Sequence, residues 1–164
     1  MLPKLNELTD KRRQGAIALL CLILATVVFI FIQSMLSPGT SGAESGAVRQ
    51  FLERFLSYDR PLGAFLLNNI RKVAHFVEYG VLGLEISLYV SLYSRDFVRL
   101  APYTAILGHG VAFIDETIQI FSGRGPAILD VWIDTLGFVC ASFVLYLIAF
   151  ILREKHLKKE VENG

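Results

Sequence analysis

Cysteine is nearly missing from this chain, and the two that occur, Cys21 and Cys140, sit inside apolar runs without ligand or redox spacing. That spacing excludes a zinc ribbon and a C-x-x-C redox centre, and both residues read as small packing groups. No Walker loop, nucleophile motif or H-E-x-x-H helix occurs either, so no reaction class is marked by a motif of its own. An excess of charge of one sign is also lacking: 16 Lys and Arg stand against 15 Asp and Glu, a formal net charge of +1. With no basic stripe interleaved with aromatics, nucleic acid is not an expected partner.

What the 164 residues have in abundance is apolar surface, at 54% hydrophobic and 12% aromatic. A mean hydropathy of +0.52 is far above that of a water-soluble domain and points to an all-α polytopic membrane protein. Four long apolar runs stand out, approximately 15–36, 73–93, 100–121 and 128–152. The first follows Lys4, Lys11, Arg12 and Arg13 and covers roughly 33 Å as a helix, so a retained transmembrane helix is preferred over a cleaved signal peptide. The short links 94–99 and 122–127 make consecutive spans antiparallel neighbours in a four-helix bundle.

The remaining stretch, 37–72, opens on the turn-rich SPGTSGAESG, expected as a loop. It continues with Val48, Phe51, Leu52, Phe55 and Leu56 on one helical face and Arg49, Glu53 and Arg54 on the other. This reads as a short amphipathic helix in the headgroup layer, with a second apolar piece from Pro61. The expected organisation is a cytoplasmic segment 1–14, a membrane domain 15–152 with 37–72 extracytoplasmic, and a cytoplasmic basic tail 153–164. Ten basic residues fall on the side of the termini and six on the other, so the positive-inside rule sets both termini in the cytoplasm of the cell membrane.

The stretch IDETIQIFSGRGPAILDVWIDTLG, residues 114–137, then becomes the centre of interest, because it carries charge through apolar surroundings. Asp115, Glu116 and Gln119 close the third span, Arg124 sits in the turn, and Asp130 and Asp134 open the fourth. On the second span, His75, Glu78, Tyr79 and Glu85 share a helical sector with Arg71 and Lys72 beside His75. Antiparallel order brings all but Glu85 to the outer-leaflet end. Carboxylates facing lipid are unfavourable, so these groups should point inward or into a wet cavity. Deeper in the bundle, Glu85 and His109 share a depth and are expected to form a structural pair.

Two of these stretches resemble the VanZ-like membrane proteins, a family that includes a teicoplanin-resistance protein. RKVAHFVEYGVLG is similar to R-K-x-A-H-F-x-E-Y-x-x-L-G, and the later stretch to D-E-x-x-Q-x-F-x-P-G-R-x-x-x-x-x-D-V-x-x-D-x-x-G. The resemblance covers most of 33–137. This chain departs from it by reading Phe121-Ser122-Gly123-Arg124, with Pro126 after the Arg, and by having Ile118 where some relatives have His. What the resemblance implies is an integral membrane protein of the bacterial cell envelope, tied in some members to glycopeptide tolerance.

Three functions follow in order of preference. The first is binding or modification of a membrane lipid or lipid-linked cell-envelope precursor, held by Arg71, Lys72, Glu78, Tyr79, Gln119, Arg124, Asp130 and Asp134. The second is catalysis by a membrane-embedded hydrolase or transferase, with His75 and Glu116 as acid and base and the cations holding a phosphate. The third is a small transporter or proton-coupled channel. No cofactor is expected, and a metal on Glu116, Asp130, Asp134 and His75 is weaker than the catalytic reading. Each residue alone could be a packing bridge; four carboxylates and several bases together exceed what one bridge needs.

Overall fold

The computed structural model describes residues 10–94, 96–123 and 128–162, and every regular element among them is a helix. Six occur in order: α1 Asp10–Met35, α2 Pro38–Leu52, α3 Pro61–Asn68, α4 Ile70–Ser91, α5 Phe97–Phe121 and α6 Ile128–Glu162. Three are long and apolar enough to cross a membrane: Asp10–Met35, Ile70–Ser91 and Ile128–Lys155. The fourth long helix, α5, spans 25 residues but interrupts its apolar run with Pro102, His109, Asp115 and Glu116. α6 carries on as a helix past Leu152 into the basic tail.

The largest difference from expectation is α2. SPGTSGAESG is helical from Pro38 rather than a loop, despite its three glycines. Its start signals outweigh their weak propensity. The Ser37 hydroxyl oxygen accepts from the Thr40 N–H at 3.3 Å, and Pro38 occupies the first helical position, where a missing N–H is harmless. At the far end of α5, Gly123 ends the turn with φ of 82°, a left-handed conformation that suits glycine.

The four long helices pack around α4, which touches α1, α5 and α6 and pairs most extensively with α6. Glycine makes that pairing close. A Cβ on Gly137 would collide with the Phe76 carbonyl, and one on Gly83 would meet the Phe138 backbone, so the two helices run backbone to backbone there. The Phe138 ring then fills the space over Gly108 of α5, where a Cβ would lie 2.5 Å from it. Across the same seam the Ser142 hydroxyl donates to the Gly83 carbonyl at 3.2 Å. Ile30, Tyr79, Leu82, Ile86, Ala112 and Val131 complete the buried apolar core around Phe138.

Outside and inside are chemically inverted relative to a soluble protein. Leu24, Phe29, Ile32, Ile106, Phe113, Phe143 and Leu152 are exposed, while Ser34, Asp115, Gln119 and Asp134 are at most 1% exposed. An apolar exterior of this extent needs lipid or protein around it, and the polar groups turn toward one another.

Candidate functional site

The C-terminal ends of α1 and α5 meet the N-terminal ends of α4 and α6, and the buried polar groups collect at that end. α4 supplies Arg71, His75, Glu78 and Tyr79, whose spacings of four, three and one keep them on one helical face. α5 supplies Asp115 and Gln119 one turn apart, α6 supplies Asp134, and α1 supplies Ser34.

A chain of hydrogen bonds crosses three helices. Arg71 Nη2 donates to Gln119 Oε1 at 2.8 Å, and Gln119 Nε2 donates to Asp115 Oδ2 at 3.1 Å. The Ser34 hydroxyl donates to the other Asp115 oxygen, Oδ1. Both oxygens of a fully buried carboxylate are therefore oriented from outside. Beside it, His75 Nδ1 stands 3.4 Å from Asp134 Oδ1, the separation of an ion pair rather than of a hydrogen bond. The Tyr79 hydroxyl, buried and without a hydrogen-bond partner among the described residues, lies within electrostatic reach of Asp115, Asp134, Glu78 and Glu116.

The cluster opens into a cavity of about 130 Å³ between α1, α2 and α4, lined among others by Gln33, Ser41, Glu44, Arg71, His75 and Glu78. Half-buried Arg71 links the two: its guanidinium orders Gln119 on one side and borders the cavity on the other. Such a pocket offers a cation, a histidine and carboxylates to a small polar group.

Of the residues singled out in the sequence, Arg71, His75, Glu78, Tyr79, Gln119 and Asp134 come together here. Glu116 is buried, whereas Asp130 is half-buried in the first turn of α6. Lys72 is exposed, because the residue after Arg71 lies about 100° further round the helix. Arg124 lies outside the described residues. Sequence reasoning gave Asp115 no role beside its neighbour Glu116; its signal is the register of Gly108, Ala112, Asp115 and Gln119, the stripe of α5 that turns inward. Ser34 carries no such signal, since a serine near the end of an apolar helix is common.

The expected Glu85–His109 pair is replaced by two other contacts. Thr26 Oγ1 of α1 donates to Glu85 Oε1 at 2.9 Å. His109 is exposed, 2.9 Å from Thr135 Oγ1 through Nδ1, with its ring 5.9 Å from that of Trp132. The reason is the packing order: at this depth α4 turns the face carrying Glu85 toward α1, while Phe138 of α6 occupies the space over Gly108 of α5.

Every residue of the cluster falls within residues 17–151, which match the family model described as VanZ/LLP1. The chain belongs to the VanZ/LLP1 family. In this member of VanZ/LLP1 the matched region runs from α1 into α6 and contains the whole cluster. No curated protein and no solved structure matches the chain.

Proposed function

We propose that this VanZ/LLP1 protein is a four-span protein of the bacterial cell membrane that binds a lipid headgroup or lipid-linked envelope precursor at the outer leaflet. In doing so it lowers susceptibility to teicoplanin-type glycopeptides. The observation that carries this reading is the cavity beside Arg71 and His75, a polar recess at one end of an apolar exterior. Anionic headgroups pair well with a guanidinium, and the glutamates of the same recess accept hydroxyl or ammonium donors.

The membrane arrangement has its own support. α5 reaches roughly 37 Å, enough for a fourth span, and Asp115, Glu116 and Gln119 are buried against its neighbours. Val48 and Phe51 of α2 and Leu62 and Phe65 of α3 are exposed apolar groups on helices too short to cross, and Phe55 is exposed in the turn between them, which suits the interfacial layer. The bias of ten basic residues against six puts both termini in the cytoplasm and α2 outside. Cys21 and Cys140 are exposed and can be replaced by alanine. In that background, Ala43→Cys on α2 should react with an impermeant thiol reagent on intact cells; reaction only after lysis reverses the orientation.

The functional test is lipid extraction and mass spectrometry, with and without the protein. A lipid or precursor that co-purifies with wild-type protein, and is depleted at least about ten-fold by Arg71→Ala, supports binding. A species whose abundance in the cell changes supports a second reading, catalysis by His75, which borders the cavity with Asp134 as its ion-pair partner. Absence of both changes would remove both readings.

A further inference from the structure

His75, Asp115 and Asp134 each offer a ligand atom, and these atoms all lie within 4.8 Å of one another at the meeting point of α4, α5 and α6. We propose that these three residues bind a divalent transition-metal ion, zinc best fitting the ligand set, with a fourth position open toward the cavity beside Arg71. The inference rests on reading this cluster as the functional site, and not on which envelope molecule the cavity holds.

Four observations carry it. The first is spacing. Two ligands of one tetrahedral zinc, at bond lengths near 2.0–2.1 Å, stand about 3.3–3.4 Å apart. His75 Nδ1 and Asp134 Oδ1 stand 3.4 Å apart, too far for a charge-assisted hydrogen bond yet matched to that edge. All three ligand atoms lie within 4.8 Å of one another, close enough to converge on one ion.

The second is satisfaction. Asp134 is fully buried, and neither of its oxygens has a hydrogen-bond partner among the described residues. A buried carboxylate whose nearest partner is a histidine 3.4 Å away gains from a cation that meets its oxygens. The third is charge. The set joins two carboxylates, Asp115 and Asp134, to one histidine. A divalent ion with two aspartates and a neutral histidine sums to zero, which suits a low-dielectric site.

The fourth is the surrounding shell. Asp115 is held by Ser34 and Gln119, and Gln119 in turn by Arg71, the kind of outer hydrogen bonds that orient metal ligands. Each Asp115 oxygen keeps a second lone pair for the ion. A histidine nitrogen among the donors selects against calcium and magnesium, which prefer oxygen alone. The open position would face an anionic oxygen or a water in the cavity.

The test uses the full chain purified in detergent, equilibrated with zinc at about ten times its molar concentration, desalted and analysed by elemental mass spectrometry. About one zinc per chain is expected. Asp115→Asn and Asp134→Asn should each lower bound zinc at least about ten-fold, and Ser34→Ala should weaken zinc affinity by about ten-fold or more through the outer shell. Glu85→Gln should keep full occupancy. Cobalt added to metal-stripped wild type should give the intense visible absorption of a four-coordinate site, which decides the matter if the aspartate variants fail to fold. Monodisperse wild type that retains no zinc and gives no cobalt spectrum would overturn the proposal, as would full retention in a folded Asp134→Asn. The lipid extraction experiment reads a separate quantity, so loss of the metal site and loss of headgroup binding are told apart.

Discussion

Two buried polar regions lie about 15 Å apart along α4, and they are built differently. Around His75, four helices contribute a histidine, an arginine, an amide, a hydroxyl and several carboxylates, connected in series and bordering a cavity. Around Glu85, a single threonine on α1 donates one hydrogen bond. The lone glutamate behaves like an interhelical tie, of the kind that fixes a packing register. The cluster at the other end exceeds what such a tie needs, because its hydrogen bonds link three helices and it borders a cavity. Burial of a polar residue in a membrane bundle therefore points to a site where several such residues converge from different helices beside a cavity.

The most severe way to break the contrast is to separate α4 from α6, which removes both regions at once. Gly137→Leu forces a side chain into the Phe76 backbone, where no flexible group can yield. It should destabilise by about 1–3 kcal/mol or more and sharply reduce the monodisperse fraction on size-exclusion chromatography. Next in size is Asp115→Asn, which keeps the shape but takes the charge from an acceptor bonded by both Ser34 and Gln119. A charge-assisted bond is worth about 1.5–3 kcal/mol, so function should be lost while thermal stability in detergent shifts by a few degrees in either direction. Removal of a buried negative charge offsets part of the lost bonding.

Much of this arrangement is legible in the sequence, and the exceptions have physical causes. The α4 face is legible because Arg71, His75, Glu78 and Tyr79 repeat at helical spacing inside an apolar run. Asp134 is legible because Gly137 and Ala141 continue its stripe and mark the side that approaches a neighbour. The choice between Asp115 and Glu116 is not, since adjacent acids differ by only 100° and both ended up buried. The Glu85 partner is hidden for another reason. Shared depth and helical phase are necessary for contact, but which neighbouring helix a face meets depends on packing, and Phe138 over Gly108 occupies that part of the bundle. In α2, glycine count argued for a loop, while one serine cap and one proline decided for a helix.

Smaller effects sharpen the contrast from the other side. Thr26→Val removes the donor to Glu85, and combined with Glu85→Gln in a double-mutant cycle it should show a coupling near 0.6 kcal/mol, within the range for polar contacts between membrane helices. A coupling above about 2 kcal/mol would mean the Glu85 region is more than a tie. His109→Phe should change least of all: it loses an exposed contact to Thr135, whose hydroxyl still donates to the Val131 carbonyl, and the new ring keeps the contact with Trp132. Melting in detergent should move by no more than about 0.5 kcal/mol in equivalent stability.

The central claim, that the His75 end is the working site and the Glu85 region is scaffold, meets its most direct test in one parallel measurement. His75→Ala and Glu85→Gln are expressed in a susceptible host at membrane abundance matched to wild type, and teicoplanin tolerance is read for each. The account predicts that His75→Ala falls to the level of the empty vector while Glu85→Gln remains within about two-fold of wild type, a change of under about 0.5 kcal/mol. Wild-type tolerance in His75→Ala, or complete loss in a fully folded Glu85→Gln, would contradict it.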